Sequence, residues 1–248
     1  MSSRASKQSE SRPPEPPEIP DELTTWDPPA ELRDVELALC RVEAVELSER
    51  DASRLQVAES RMAHVNLSGC GLEGANFHDV IVEMGSWANV RAAGLSLTRV
   101  RLDQVRLTGA SLASAEIRDV TFVDCRIDLA AFRFAKLERV RFDNCRMDEV
   151  DFYGASLTSV VFTGCSLVSA TWSAATLTCS EIRGCDLAGA KNTGAATRCS
   201  DAMGRRHQLG SRACGRSRDR HHRAMSRVAR QTVEVRSRWG YCRRGCFY

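Results

Sequence analysis

Residues 141–157 read RFDNCRMDEVDFYGASL, with large apolar side chains at Phe142, Met147, Phe152 and Leu157, one every five residues. Helices repeat about every 3.6 residues and strands about every 2, so neither accounts for a beat of five. The beat holds one register from residue 37 to residue 187, giving 31 large-residue positions, of which 29 are Leu, Ile, Val, Met, Phe or Trp. Only Ala52 and Ala92 are small. Two residues before each of these sits a second small or apolar residue, such as Val140, Cys145, Val150 and Ala155; Arg50 is the one long polar exception. A register kept this long identifies a repeat protein.

The alternating gaps of two and three fix a geometry. Residues two apart on an extended backbone point to the same side, so both members of each pair face inward. The next two residues must turn the chain before another inward pair begins. Each pentapeptide is thus a short extended face plus a corner, and faces wound about an axis make a parallel β-solenoid. A second period gives the number of faces. Cys125, Cys145, Cys165 and Cys185 are twenty apart, as are Phe122, Phe142 and Phe162, and Phe132, Phe152 and Trp172 form a third such column. Four faces therefore complete a coil. The 31 faces make nearly eight coils, roughly 37 Å long at about 4.8 Å between strands.

Runs such as ANFHDV (75–80), VDFYGASL (150–157) and CDLAGA (185–190) resemble the A(D/N)LXX pattern of the pentapeptide repeat family. The resemblance covers about residues 35–190 and implies an all-β fold, a right-handed quadrilateral parallel β-helix of about eight coils. Departures are local. Arg50 and Ala52 spoil one face, which predicts a bulge or distorted coil near 50–52, and Ala92 and Leu95 exchange the usual sizes around another.

Three segments follow. All seven prolines fall between Pro13 and Pro29, so residues 1–34 form a Pro-rich leader expected to be disordered or extended, with Trp26 able to tuck onto the body. Residues 35–190 are the β-helix. Residues 191–248 carry 14 arginines, 3 histidines and 4 cysteines without periodicity. This basic tail is expected to be unstructured and reads either as an out-of-frame translation of a GC-rich gene, the preferred account, or as a basic arm for nucleic acid. The net charge of +3 conceals this division. Residues 31–190 alone carry a net of −6 and the last 58 a net of +12. No stretch approaches the ~18 apolar residues of a membrane span, and residues 1–20 lack the apolar core of a secretory signal. A cytoplasmic location follows as the expectation, with the 11 cysteines as free thiols.

No catalytic, cofactor-binding or metal site is expected. The cysteine ladder stacks in one column, whereas zinc needs ligands converging tetrahedrally at about 2.3 Å, so core packing is preferred. The Phe122/142/162 column has the phase of core filler rather than of a base-stacking platform. His64 and His78 fall at corner or outward positions with no nucleophile or carboxylate motif around them. In the tail, Cys242 and Cys246 with His207, His221 and His222 match no zinc module.

The outward columns mix signs. Arg126 and Arg146 run beside Asp128 and Asp148, and Glu83, Asp103 and Asp143 share another column interrupted by Val123. A non-catalytic interaction or scaffold module with a protein partner is the leading expectation. The resemblance also implies an alternative, because some members mimic duplex DNA and bind DNA gyrase or other type II topoisomerases. A 37 Å rod of duplex would carry about 22 negative charges, against the net of −6 here. Finally, the coil around Leu177 to Leu187 lacks a recognisable cap, which predicts self-association, such as a homodimer, through that end.

Overall fold

A computed structural model describes residues 12–191 and 196–197. The charged tail, its cysteine and histidine set and its two competing origins lie outside the described residues, apart from Lys191 and the backbone of 196–197. Among the described residues there is no helix, and so none long and apolar enough to cross a membrane.

The chain is an all-β parallel solenoid of about eight coils. After β1 (Thr24–Thr25) come β2 (Glu36–Ala38) and β3 (Cys40–Glu43), then one eight-residue strand per coil: β4 (Gln56–Ala63), β5 (Asn76–Glu83), β6 (Ser96–Asp103), β7 (Glu116–Val123) and β8 (Lys136–Asp143). The last coils split this strand into β9 (Ser156–Thr158) with β10 (Val161–Thr163) and β11 (Thr176–Thr178) with β12 (Glu181–Arg183), and β13 (Ala196–Thr197) follows. Every pairing from β2 onward is parallel and shifted by twenty residues, as in Phe122 opposite Phe142 opposite Phe162. Each strand covers two adjacent faces. The other two faces meet their neighbours through single-residue bridges such as Arg126 to Arg146 and Ala131 to Asp151.

The corners hold the regularity. Every fifth residue from Asp34 to Gly189 has φ between 45° and 70°, 32 corners in all, of which only eight are glycine. A side chain in this left-handed region costs about 1–2 kcal/mol. The backbone offsets that cost, because corner N–H groups donate to the next coil, as His64 does to Glu83 and Phe134 to Tyr153, both at 2.9 Å. A corner glycine matters where the coil below leans over it. At Gly154 an added Cβ would lie 2.7 Å from the ring of Phe134.

The inward pairs fill the interior as their phase requires. Phe122, Phe142 and Phe162 stack at 4.7 and 4.9 Å with nearly parallel rings, and Phe132, Phe152 and Trp172 stack on the opposite face at 5.2 and 4.5 Å. The two stacks meet edge to face, as at Phe152 and Phe162 (6.1 Å). Fully burying each ring contributes about 1.5–3 kcal/mol, and each ring pair adds about 0.5–1.5 kcal/mol. Cys125, Cys145 and Cys165 are buried free thiols in the same interior, each facing a backbone carbonyl of the coil before, and Cys185 is half-buried. The flanking Cys125 and Cys165 thiols, together with burial, push the Cys145 thiol far above its ordinary value, so it stays protonated.

Two expectations are corrected. The register begins one step earlier than residue 37, at Leu32, which is fully buried. No bulge forms at 50–52, because Asp51 bridges to Gly71 in register and Ala52 is buried. Arg50 does not spoil its face: its guanidinium turns outward and donates to the carbonyls of Pro29 (2.6 Å) and Ala30. Around Ala92, the exchanged Leu95 is itself fully buried.

The disordered alternative for the leader is corrected over residues 12–34, which lie extended along the solenoid. β1 pairs with β3, Thr24 N–H donates to the Leu39 carbonyl (2.9 Å) and Trp26 N–H to that of Arg41 (3.1 Å), and Trp26 packs against the core. Low apolar content predicts disorder because it offers little burial. Here backbone hydrogen bonds to the solenoid supply the attachment, and composition does not reveal them.

Candidate interaction surface

Outward residues sit at fixed heights because each coil repeats the last, so their charges meet in set patterns. On the face carrying residues 41–43 and their equivalents, partners lie two apart along the strand. Arg101 reaches Asp103 at 2.7 Å and Arg141 reaches Asp143 at 3.2 Å. On the next face Arg146 lies 3.0 Å from Asp148 and 3.2 Å from Asp128 of the coil before. Lys136 and Glu116 pair across coils at 2.8 Å, and Arg133 pairs with Asp151 at 2.6 Å. Arg141, Asp143, Arg146 and Asp148 do face outward as their phase predicts, but as ion pairs rather than free charges. An open groove of about 530 Å³ between Arg33, Arg54, Arg91, Asp51 and Glu73 is similarly lined by partnered charges.

One column differs. Its corner residues are Asp79, Arg99, Asp119 and Arg139. Arg99 grips Asp79 with Nε and Nη2 at 2.7 and 2.5 Å, and Arg139 grips Asp119 in the same two-pronged way at 2.6 and 2.7 Å. His78 joins the first pair, its Nε2 being 3.0 Å from Asp79 and 2.6 Å from Arg99. These two aspartates are only 3% and 4% exposed, although they occupy corners. The cover is the leader, whose Glu15 N–H donates to Asp119 Oδ1 (3.1 Å) and whose Glu18 N–H donates to Asp79 Oδ1 (2.9 Å). Burial pushes both carboxyls up, but the arginine and the leader amide outweigh it and hold each below the usual aspartate value.

Neither the ladder nor its cover was singled out by sequence reasoning. The signal was present: Asp, Arg, Asp, Arg recur at twenty-residue steps, and PPEPPE repeats its amide-bearing residue every third position. Of the two histidines in the body, His78 belongs to this cluster and His64 is an exposed corner. The largest apolar side chains left exposed are mostly at corners, namely Leu39, Met84, Leu129 and Phe134. The Phe134 ring meets exposed Tyr153 edge-on at 5.4 Å. Among the described residues no group of three or more His, Cys, Asp or Glu is arranged to hold a metal ion.

HetL, a pentapeptide repeat protein involved in heterocyst differentiation regulation from the cyanobacterium Nostoc sp. strain PCC 7120, is 16% identical, with 65% of this chain and 87% of HetL covered and a TM-score of 0.40. QnrB1, a plasmid-mediated fluoroquinolone resistance protein, is also 16% identical, with 64% of this chain and 93% of QnrB1 covered and a TM-score of 0.43. No curated protein matches the chain. Two family models do, the pentapeptide repeat region over residues 95–172 and the pentapeptide repeats (8 copies) over residues 155–191. Those matches run without a gap over residues 95–191, and that stretch of the solenoid belongs to the pentapeptide repeat family.

Proposed function

We propose that the protein is a non-catalytic interaction or scaffold module of the cytoplasm, presenting outward side chains at fixed spacing to a protein partner. The observation that carries this is the division of labour within each pentapeptide. Inward residues are spent on packing, with Phe122 through Trp172 stacked and buried. Outward residues stand in ion-paired rows whose heights the coil sets. Exposed Phe134 and Tyr153 add an aromatic pair of the kind that anchors protein interfaces.

The same rows argue against duplex mimicry. A mimic needs uncompensated negative charge at roughly one per 1.7 Å, whereas Asp103, Asp143, Asp148 and Asp151 each have an arginine within 3.2 Å. A supercoiling assay with DNA gyrase tests the distinction. Unchanged activity at micromolar protein is expected, and inhibition of gyrase or protection from quinolones would replace the scaffold reading with the mimic.

The last coil described in full suits a second copy of the chain. Its inward Leu177, Ile182 and Leu187 are half-buried, where equivalents such as Leu157, Phe162 and Leu167 are fully buried. A homodimer through this end is expected by light scattering, and a monodisperse monomer would exclude it.

A further inference from the structure

The PPEPPE segment and the Asp79–Arg99–Asp119–Arg139 column match in spacing as well as in contact. Asp79 and Asp119 are two coils apart, about 9.6 Å at the strand spacing. Glu15 and Glu18 are three residues apart, and a polyproline II segment rises about 3.1 Å per residue, or about 9.3 Å over three. Pro13, Pro14, Pro16 and Pro17 favour that conformation, since proline fixes its own φ and restricts the residue before it. They also remove the N–H from every position between and before the two glutamates. The only backbone donors of residues 13–18 are therefore Glu15 and Glu18, and both are used on the ladder, at 3.1 and 2.9 Å. Pro14 and Pro17 turn toward the solenoid and are half-buried, while Pro13 and Pro16 are exposed.

The ladder is built to receive such a strand. Each arginine holds its carboxylate with two prongs, which fixes where the remaining lone pairs point. Without the leader, Asp79 and Asp119 would each lose the partner that now completes them. Arg99 between them keeps like charges from stacking on adjacent coils.

We propose that the Asp79–Arg99–Asp119–Arg139 column is a binding site for polyproline II segments carrying Pro-Pro-Glu triplets, occupied in cis by residues 13–18, so that the leader is an exchangeable strap over this corner. The same segment of a second copy of the chain competes for the same two carboxylates. The inference stands apart from the identity of the partner and from the supercoiling assay.

The test uses the full chain with Pro13, Pro14, Pro16 and Pro17 all changed to Ser, which frees the strap and leaves the solenoid sequence untouched. A fluorescein-labelled peptide of residues 11–22 is titrated against it by anisotropy. Binding about tenfold tighter than to the natural chain is expected. Asp119→Ala in the freed background should weaken binding about tenfold, the loss of one hydrogen bond to a charged group. A peptide N-methylated at the two glutamates should bind neither protein, a result independent of how any variant folds. In the natural chain, the Glu15 and Glu18 amides should exchange with solvent about tenfold more slowly than that of Glu22. No binding to the freed chain, equal binding to both chains, binding by the N-methylated peptide or unprotected glutamate amides would each overturn the proposal.

Discussion

The first and last coils have the same inward chemistry and different burial. Leu32 and Leu37 at the N-terminal end are 1% and 3% exposed, whereas Leu177, Ile182 and Leu187 near the other end are half-buried. The difference lies outside the repeat. At the first coil, residues 24–26 add backbone hydrogen bonds to Leu39 and Arg41, and Arg50 ties down the carbonyls of residues 29 and 30. At the last, the described contacts include the β11–β13 pairing and two bonds of Lys191, whose carbonyl accepts from Trp172 N–H and whose N–H donates to the Ala170 carbonyl. In a stack where each coil touches only its neighbours, a coil's stability is set as much by what lies beside it as by its own sequence.

The contrast can be tested by truncating the same kind of residue in different places. Phe142→Ala in the middle of the stack removes two parallel ring contacts and should cost about 3–5 kcal/mol, read as a lowered denaturation midpoint. Leu32→Ala at the covered end should cost about 2–3 kcal/mol, and Leu187→Ala at the other end about 1 kcal/mol or less. Equal costs at both ends would show that the burial difference carries no energy. Arg50→Ala should cost about 1 kcal/mol, and amide exchange at Thr24 and Trp26 should speed up because their segment loses its tie.

Acid gives a smaller, graded effect on the leader. The Asp79 and Asp119 carboxyls are held below their unfolded value of about 3.9. They therefore stabilise the folded chain above that value and lose the contribution as pH falls through the lower folded values. The groups facing them are His78, Arg99 and Glu18 around Asp79, and Arg118, Arg139 and Glu15 around Asp119. Protection of the Glu15 and Glu18 amides should hold from neutrality to about pH 4 and fade below it. Protection that already fades near pH 6 would exclude the two carboxylates as its control.

The fold was legible because its signal is inward and periodic. The beat of five gave the faces, the period of twenty gave the coil, and the Cys and Phe columns fell into the interior that their phase required. The corners were not legible in the same way. Residues as different as Leu39, Arg54, Phe134 and Cys179 all adopt left-handed φ, since it is the hydrogen bond to the next coil, not the side chain, that holds them there. Arg50 looked like a defect because its value lies in a partner outside the repeat. The strap was hidden for a related reason: two backbone amides do the binding, and a Pro-rich composition with so little to bury resembles disorder.

The uniform twenty-residue coil also quantises the lengths this chain can take. Removing or adding one residue inside the body would turn every later inward side chain outward or into a corner. Five residues would restore the phase but rotate everything downstream by a quarter turn, parting Phe122 from Phe142. Only twenty would leave each column in line, shortening or lengthening the rod by one step of about 4.8 Å. Even that step is not free between Asp79 and Asp119, where a coil more or less would change the gap that the three residues from Glu15 to Glu18 must span. Insertions and deletions in relatives of this protein should therefore come in whole coils, and avoid those two.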